Sequence, residues 1–327
     1  MTDTPHHPPD TSILNHRGSD PSPLTPREAT NLMRSVADNV EHVIIGHREP
    51  LEHLLAAFMA RGHVLIEDVP GVGKTMLARS IARSIDCDFS RIQFTPDLLP
   101  SDITGVNVFD RRTGDFTFRP GPIFGNVVLG DEINRAPAKT QSALLEAMEE
   151  RQVTIDGESH ALPRPFVVIA TRNTVERDRT YDLPLAELDR FTARIGLGYP
   201  DRDDEISVLE RVVSRHPVED LSPVTDAERI QRARLTVATV TVQDPIREYA
   251  TDLAAYTRQR STVGVSPRGT IALVRTAQAR ALLEGRDFVT PDDIQTELEP
   301  VFGHRLPPSG APPATVIDEA VESVPIP

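Results

Sequence analysis

The stretch Glu67-Asp68-Val69-Pro70-Gly71-Val72-Gly73-Lys74-Thr75 follows an apolar strand candidate, Val64–Ile66, and leads into a predicted helix at 75–85. Glycines at 71 and 73 let the main chain curl so that its N–H groups face an anion, and the helix adds its positive end. Lys74 can then reach the β- and γ-phosphates of a nucleotide, and the Thr75 hydroxyl can bind Mg²⁺. The pattern therefore predicts a phosphate-binding loop. The residues expected to hold the nucleotide here are Pro70, Gly71, Val72, Gly73, Lys74, Thr75 and Met76.

One position departs from the usual form of this loop, which opens with a glycine where this chain has Asp68. A carboxylate near a triphosphate is repulsive unless it points away, so we expect Asp68 to be accommodated at the strand exit. The alternative is an accidental glycine-rich turn. The strand–loop–helix context speaks against it, and so does Lys74, because the chain has only one other lysine, Lys139.

A second strand candidate, Val127–Leu129, runs through Gly130 into the acidic pair Asp131-Glu132. Phosphoryl transfer needs a carboxylate that holds hydrated Mg²⁺ and another that polarises the attacking water. Both have to emerge at the carboxyl edge of the sheet, beside the phosphate loop. We assign the first role to Asp131, which with Thr75 forms the predicted metal site, and the second to Glu132. Taken alone, the acidic pair is as typical of a helix cap or a turn.

Three further polar residues are candidates for the same chemistry. Asn173 follows the strand candidate Phe166–Ala170 and can lie between the water and the γ-phosphate, although Asn after a strand usually indicates a turn. Arg190 lies on a predicted short helix and can serve the nucleotide of a neighbouring subunit, or form a surface salt bridge. Arg268 lies in the first turn of a helix, where the helix dipole disfavours a cation, so an anionic partner such as phosphate is indicated.

Composition limits the class of protein. The 327 residues include 35 basic and 49 acidic side chains, a formal charge of −14, and one cysteine, Cys87. A single thiol excludes an internally disulfide-stapled scaffold. No apolar run reaches the ~20 residues that span a bilayer, and the N-terminus has no signal-peptide pattern. We therefore expect a cytoplasmic protein without membrane insertion, and the acid excess makes nucleic-acid binding an unfavoured function.

The pattern of the chain predicts four segments. Residues 1–24 are polar and Pro-rich, which is typical of a disordered tail. Residues 25–200 alternate apolar strands, including Ile92–Phe94, with helices, which predicts an α/β domain with a mainly parallel sheet. Residues 201–303 predict an all-helical domain, with helices at about 202–215, 226–239, 244–259, 267–284 and 291–303. Residues 304–327 are Pro-rich and are expected to form a loose tail.

Taken together, these motifs resemble the MoxR family of AAA+ ATPases over about residues 27–303. The specific matches are the runs 91–105, 121–124 and 131–141, which are longer than a phosphate loop. The resemblance implies a P-loop module with a mainly parallel five-stranded sheet, followed by a small all-α lid. It implies ATP and Mg²⁺ as ligands. It makes Asn173 the sensor-1 residue, Arg190 the arginine finger and Arg268 the sensor-2 arginine, acting in its own subunit or its neighbour's.

The resemblance also implies an assembly. Ile44, Ile45 and Gly46 match the segment that flanks adenine, and the finger implies a ring, usually of six subunits. Val108–Phe118 and Gln152–Pro165 match two hairpins that face the ring axis and touch the client; the alternative is two ordinary surface hairpins. The partner implied is a client or adaptor protein with a von Willebrand A domain, which the ring remodels or matures.

Two other functions remain open at this stage. Ring helicases share the first hairpin, so a DNA-associated ring motor is an alternative, although the charge of −14 and the lack of a basic tract oppose it. The other is a nucleotide-gated scaffold with little turnover, which Asp68 alone suggests. The client and its pathway are not encoded in any motif.

Overall fold

A computed structural model describes residues 22–173, 181–212, 218–307 and 311–327. Within these ranges the helices are α1 Pro26–Glu41, α2 Arg48–Met59, α3 Lys74–Ser84, α4 Pro100–Thr104, α5 Ala138–Glu150, α6 Leu185–Leu188, α7 Arg202–Val212, α8 Ala227–Val237, α9 Asp244–Arg260, α10 Pro267–Leu283, α11 Pro291–Phe302 and α12 Pro313–Ser323. The strands are β1 Val64–Asp68, β2 Phe89–Gln93, β3 Gly105–Asp110, β4 Asp115–Pro120, β5 Val127–Asp131, β6 Gln152–Ile155, β7 Glu158–Ala161, β8 Val167–Asn173 and β9 Ala193–Ile195.

The central sheet has five parallel strands in the order β2-β5-β8-β1-β9. Its inner strands are continuous apolar runs because helices cover both faces, and Val64, Leu129 and Ile169 are fully buried. The register pairs Val64 with Ile169 and Leu129 with Ile169, so β5, β8 and β1 end at one edge. The expected α/β fold with a mainly parallel five-stranded sheet is confirmed.

The edge strand β9 and the helix α2 were not identified from the sequence. Strand β9 has three residues, Ala-Arg-Ile, which is too short for a periodic pattern. In α2, a nearly unbroken run of residues is buried, Leu51 and His53–Met59, so the helix lacks the 3.6-residue alternation of an amphipathic helix.

Two antiparallel hairpins project from the sheet, as predicted. Strands β3 and β4 pair from Gly105 with Pro120 to Asp110 with Asp115, and β6 and β7 pair around a turn at 156–157. Asp156 and Gly157 have φ of +51° and +87°, as a tight two-residue hairpin turn requires.

The N-terminal helices pack on the C-terminal helical region. Helix α1 begins with a capping box, in which the Glu28 carboxylate accepts from the Thr25 N–H at 2.9 Å. The Thr30 hydroxyl donates to the Leu282 carbonyl at the end of α10, at 2.6 Å. One apolar core therefore includes α1, α2, α8, α9, α10 and α11. The helix starts predicted at 267 and 291 are confirmed, but the domain boundary at residue 200 stays a prediction.

The predicted loose tail at 304–327 is wrong for the described residues. His304 and Arg305 are 4% exposed, and α12 lies against α9 with Val316, Ile317 and Ala320 buried. The tail was predicted from its proline content. Pro312 and Pro313, however, lie at the N-terminus of α12, where proline is compatible with a helix. Most of the predicted disordered segment 1–24 lies outside the described residues. Its last residue, Leu24, is 6% exposed and is part of the core.

Asp68 ties the exit of β1 to the exit of β9. Its Oδ2 accepts from the N–H groups of Leu197 and Gly198 at 2.6 and 2.7 Å, and its Oδ1 accepts from the Val69 N–H at 2.8 Å. The residue is 8% exposed. Its two carboxylate oxygens are thus engaged by three main-chain donors, so the carboxylate is accommodated at the strand exit as expected.

At the opposite, amino edge of the sheet, His63 joins two elements. Its Nδ1 accepts from the Val168 N–H at 2.9 Å, which leaves the proton on Nε2 to donate to the Met148 carbonyl at 3.1 Å. The pKa of His63 is lowered to about 3, mainly by burial and also by the nearby Arg151 and Arg234 guanidiniums, whereas the Met148 hydrogen bond acts in the opposite direction. The imidazole is therefore neutral in the folded chain at neutral pH.

Replacing Asp68 with Asn should lower the free energy of unfolding by about 1–3 kcal/mol, because buried main-chain donors lose a charged acceptor. Urea denaturation of the full chain measures it. Asp182→Asn is the matched control, because the Asp182 side chain is 79% exposed and pairs only with Arg172 among the described residues. Equal losses in the two variants would contradict the role given to Asp68.

His63→Gln removes a titrating group, so its stability relative to wild type should depend on pH. The folded pKa of about 3 lies below the usual histidine pKa of 6.5, so the stabilisation from neutral His63 is complete above pH 6.5 and is lost as pH falls towards 3. Between pH 6.5 and 4.5, the difference in the free energy of unfolding between wild type and His63→Gln should decrease by about 2–3 kcal/mol. Chemical denaturation at several pH values measures it, with the exposed His42→Gln as control. A pH-independent difference would refute the assignment.

Candidate nucleotide-binding site

The phosphate loop joins the carboxyl end of β1 to the N-terminus of α3. Gly71 and Gly73 have φ of +89° and +90°, a left-handed backbone that other residues rarely adopt. Gly73 caps α3 without a side-chain hydrogen bond, so the first amides of the helix are left to an external acceptor. Apart from its own chain neighbours, no atom of the described residues lies within 4 Å of where a Cβ on Gly71 would stand. The loop is an open main-chain cradle of the kind that binds phosphate.

Lys74 reaches over this cradle. Its Nζ donates to the carbonyls of Asp68 and Val69 at 3.1 and 3.2 Å. Burial lowers the pKa of Lys74, and the carboxylates of Asp68, Asp131 and Glu132 act in the opposite direction. The lysine is thus a half-buried cation facing the acidic pair, as a phosphate-binding lysine has to be.

Thr171 of β8 orients both acids at the end of β5. Its hydroxyl donates to Asp131 Oδ1 at 2.7 Å and accepts from the Glu132 N–H at 2.9 Å. The other Asp131 oxygen contacts Arg91 at 2.5 Å. Thr171 was not identified from the sequence as a site residue. Thr171 lies two residues before Asn173, and alternate residues of a strand share a face. The position of Asn173 could therefore have indicated Thr171 as a site residue.

Glu132 is held at the strand exit in a strained conformation. Its φ is +57°, a left-handed value that a non-glycine residue adopts at a cost of about 1–3 kcal/mol. Its Oε2 accepts from Gln93 and Arg135, each at 2.8 Å. This left-handed conformation turns the chain away from the strand direction, so that the Glu132 carboxylate lies beside the cradle.

The predicted residues meet in a cleft of about 220 Å³. Its walls are Pro70, Gly71, Gly73, Lys74, Thr75, Met76, Asp131, Glu132 and Asn173. Val72 is 8% exposed and lies beneath the loop, packed with the core. Asn173 ends β8 opposite Asp68 in the register, and so lies at the same edge of the sheet.

The segment predicted to flank the base lies beside the loop. The Cδ1 of Ile44 is 3.7 Å from where a Cβ on Gly73 would stand. Gly46 has φ of +78°, and a Cβ there would meet the Asp204 carboxylate at 2.1 Å. Ile45 lies between them, so the segment 44–46 is confined between the phosphate loop and the start of α7.

The oxygen donors at the cleft suit Mg²⁺. Thr75 and Asp131 supply a hydroxyl and a carboxylate, and Mg²⁺ prefers one or two such ligands together with phosphate oxygens and water. Within the part of the chain that the structure describes, no group of three or more His, Cys, Asp or Glu side chains forms a closed metal cage. The donor set therefore fits an ion that is bound together with a nucleotide.

Arg190 and Arg268 lie elsewhere, on a shared carboxylate. Glu149 Oε1 contacts Arg268 Nη2 at 2.5 Å, and Glu149 Oε2 lies 3.4 Å from Arg190 Nε. Glu149 is near the C-terminal end of α5, about 17 Å from the start of that helix at 1.5 Å per residue. Arg190 also precedes β9, at the amino edge of the sheet. The two arginines are therefore together, but at the opposite edge from the cleft of their own chain.

A hydrogen bond joins the two segments that carry Arg190 and Arg268. Asp189 Oδ2 accepts from the Ser266 hydroxyl at 3.0 Å, which joins the segment after α6 to the N-terminus of α10. Asp189 Oδ1 pairs with the buried Arg305 at 2.7 Å. The anionic partner predicted for Arg268 is thus Glu149 within this chain, a residue that no sequence signal distinguished from other exposed acids of α5.

Among the described residues, no helix has the length and apolarity needed to cross a membrane.

Comparison with known families matches two parts of the chain. Residues 63–193 match the model of the ATPase family associated with various cellular activities, AAA, and residues 253–324 match an AAA lid domain. The second match includes α12, in agreement with the correction to the predicted tail.

Relatives extend the match to most of the chain. It is 51% identical to YeaC of Bacillus subtilis, an uncharacterized protein, over 84% of this chain and 87% of YeaC. It is 37% identical to chaperone MoxR1 of Mycobacterium tuberculosis, over 85% of this chain and 76% of MoxR1. A solved structure of a candidate ATPase from Cytophaga hutchinsonii is 35% identical and superposes with a TM-score of 0.85, covering 92% of this chain and 97% of that one. With the phosphate loop, the acidic pair and the helical lid in place, the chain belongs to the MoxR family of AAA+ ATPases.

Proposed function

We propose that this protein hydrolyses ATP with Mg²⁺ in a ring of identical subunits and uses the cycle to remodel a partner protein. The observation that carries the proposal is the split of the functional residues between two edges of the sheet. The cradle, Asp131, Glu132 and Asn173 line one cleft, whereas Arg190 and Arg268 meet at Glu149 on the other side.

Each residue of the cleft has a role that its position supports. The cradle and Lys74 bind the β- and γ-phosphates, and Thr75 with Asp131 would hold Mg²⁺, which neutralises phosphate charge when bound. Glu132 accepts the proton of the attacking water. Asn173, at the end of β8, orients that water against the γ-phosphate.

The arginine pair supports a site that two subunits share. Arg190 contacts Glu149 through Nε at 3.4 Å, and its side chain is 30% exposed. The distance along α5 keeps Arg190 from the phosphate of its own chain, so its target is the γ-phosphate of the next copy. Arg268 shares its position and acts on the same neighbour. A closed ring, of six subunits by family resemblance, gives every cleft such a neighbour.

The hairpin β3–β4 is the part proposed to touch the client. Phe109 and Phe116 pack together at 5.2 Å between ring centres, yet are 49% and 70% exposed. Exposed aromatic pairs are typical of protein contact sites. We assign a client or adaptor with a von Willebrand A domain to this surface, and cytoplasmic localisation to the protein, from family resemblance. The charge of −14 opposes a role on DNA.

Glu132→Gln should abolish turnover and keep binding. The amide preserves the size of the side chain but cannot accept a proton, so the rate of phosphate release should fall by about 100-fold or more. The affinity for a fluorescent ATP analogue should stay within about twofold of wild type, because binding depends on the cradle and Lys74. Glu146→Gln, on the exposed face of α5, is the control. Phosphate release at the wild-type rate from Glu132→Gln would remove this residue from the role.

Arg190→Ala should be inactive alone but should bind ATP normally. When it is mixed with Glu132→Gln, partial activity should return, because some clefts then combine an intact Glu132 with an intact Arg190 from the adjoining chain. Steady-state ATPase assays at a fixed total concentration measure the recovery. Mixing Arg190→Ala with the double variant Glu132→Gln/Arg190→Ala is the control and should restore nothing. Absence of recovery in the first mixture, with mixed rings verified by tagged co-purification, would contradict action between subunits.

A further inference from the structure

A second cleft, of about 380 Å³, lies at the amino edge of the sheet. Its polar lining is dominated by Arg61, Arg151, Arg164 and Arg234. Arg61 and Arg164 stand just before β1 and β8, whereas the phosphate loop follows β1 at the carboxyl edge. A five-residue strand separates the two edges by about 16 Å, so this cleft is distinct from the nucleotide site.

Arg234 forms the floor of this arginine cleft. It is 5% exposed, its Nη2 donates to the Phe58 carbonyl at 2.7 Å, and its guanidinium lies 4.2 Å from the Phe58 ring centre. Its Nε is buried and has no hydrogen-bond partner among the residues that the structure describes. Burial lowers the pKa of Arg234 to about 9, and Arg151 and Arg61 add to the effect, which leaves the group charged at pH 7.

The arginines around the mouth also repel one another. Arg151 Nη2 donates to the Arg61 carbonyl at 3.2 Å. Burial lowers the pKa of Arg151, and Arg61, Arg164 and Arg275 lower it further. In the ranges that the structure covers, no carboxylate forms an ion pair with any of these five arginines. A buried or crowded cation without a counter-charge is costly, and this chain has more acids than bases to supply one.

Apart from Gln231, the rest of the cleft is apolar and suits the organic part of a ligand. The apolar lining residues are Leu162, Pro163, Phe166 and Leu235. Its volume lies in the range of pockets for small molecules. Planar guanidiniums bind phosphate oxygens in pairs, and several arginines together match an anion with several charges.

We propose that the arginine cleft binds a small-molecule phosphate anion with two or more phosphoryl groups. Arg61, Arg151 and Arg164 would surround the phosphates, and the guanidinium of Arg234 would add its charge beneath them. The depth of Arg234 favours a small anion over the backbone of a nucleic acid, which exposed arginines alone could bind. The inference does not rest on ATP hydrolysis.

Binding of inorganic triphosphate to the full-length Lys74→Ala chain tests the proposal, because this variant weakens the phosphate loop. Isothermal titration calorimetry in EDTA should detect a site that is lost on further substitution of the arginine cleft. Arg61→Gln and Arg164→Gln, both at exposed positions, should each raise Kd at least tenfold in the Lys74→Ala background. Arg202→Gln is the matched control, because its side chain is 85% exposed and remote from the cleft. Circular dichroism melting verifies that each variant is folded.

The same titration with ATP identifies the source of the phosphates. Tighter binding of ATP than of triphosphate, again sensitive to Arg164→Gln, would assign a nucleotide, with its base on the apolar wall. Equal binding would assign an inorganic oligophosphate. The proposal would be overturned by no binding of either ligand to Lys74→Ala, by binding that Arg61→Gln and Arg164→Gln leave unchanged, or by an oligonucleotide that displaces triphosphate and binds more tightly. A change in oligomeric state on these substitutions, without a change in triphosphate binding, would assign the cluster to a neighbouring copy and would also overturn it.

Discussion

The parallel register of β5, β8 and β1 is the constraint on which the site depends. Because these strands run in the same direction and end at one edge, residues distant in sequence converge there: Asp131 from β5, Asn173 from β8 and the loop after β1. Thr171 then couples the ends of β5 and β8 through its hydroxyl, and Asp68 couples the exits of β1 and β9 through three main-chain donors. The parallel sheet thus brings the site residues to one edge, and the hydrogen bonds of Thr171 and Asp68 hold the ends of its strands in place.

The residues of the cleft could be predicted from sequence because their chemistry is local. Glycines at 71 and 73 with a lysine and a hydroxyl, and two acids after an apolar run, are contiguous patterns. The contacts that support them are not contiguous: Thr171 meets Asp131 across 40 residues, and Asp68 meets Leu197 across 129. Helix α12 was not predicted for a different reason. Its prolines are typical of a tail by composition, but they lie where a helix begins.

The two arginine groups illustrate how differently the same residue is used. Arg190 and Arg268 are partly exposed and share one carboxylate at the edge of the sheet opposite their own cleft, which suits residues that act on a neighbour. Arg234 is buried, keeps one main-chain acceptor and lies among other guanidiniums. In a chain whose bases are nearly all arginine, sequence gives no means of separating these cases. Only the partners of each guanidinium do so.

Helix α5 connects the region of the acidic pair with the arginine pair at Glu149. It starts a few residues after Glu132 and finishes at Glu149 and Glu150, with Arg151 immediately beyond. As a rigid rod of 13 residues it cannot tilt at one end without moving the other. A small displacement at the acidic pair would therefore reposition Glu149, and with it the two guanidiniums that contact it. In the proposed ring, this helix would be a mechanical link through which the nucleotide state of one cleft alters the arginines that act on the next.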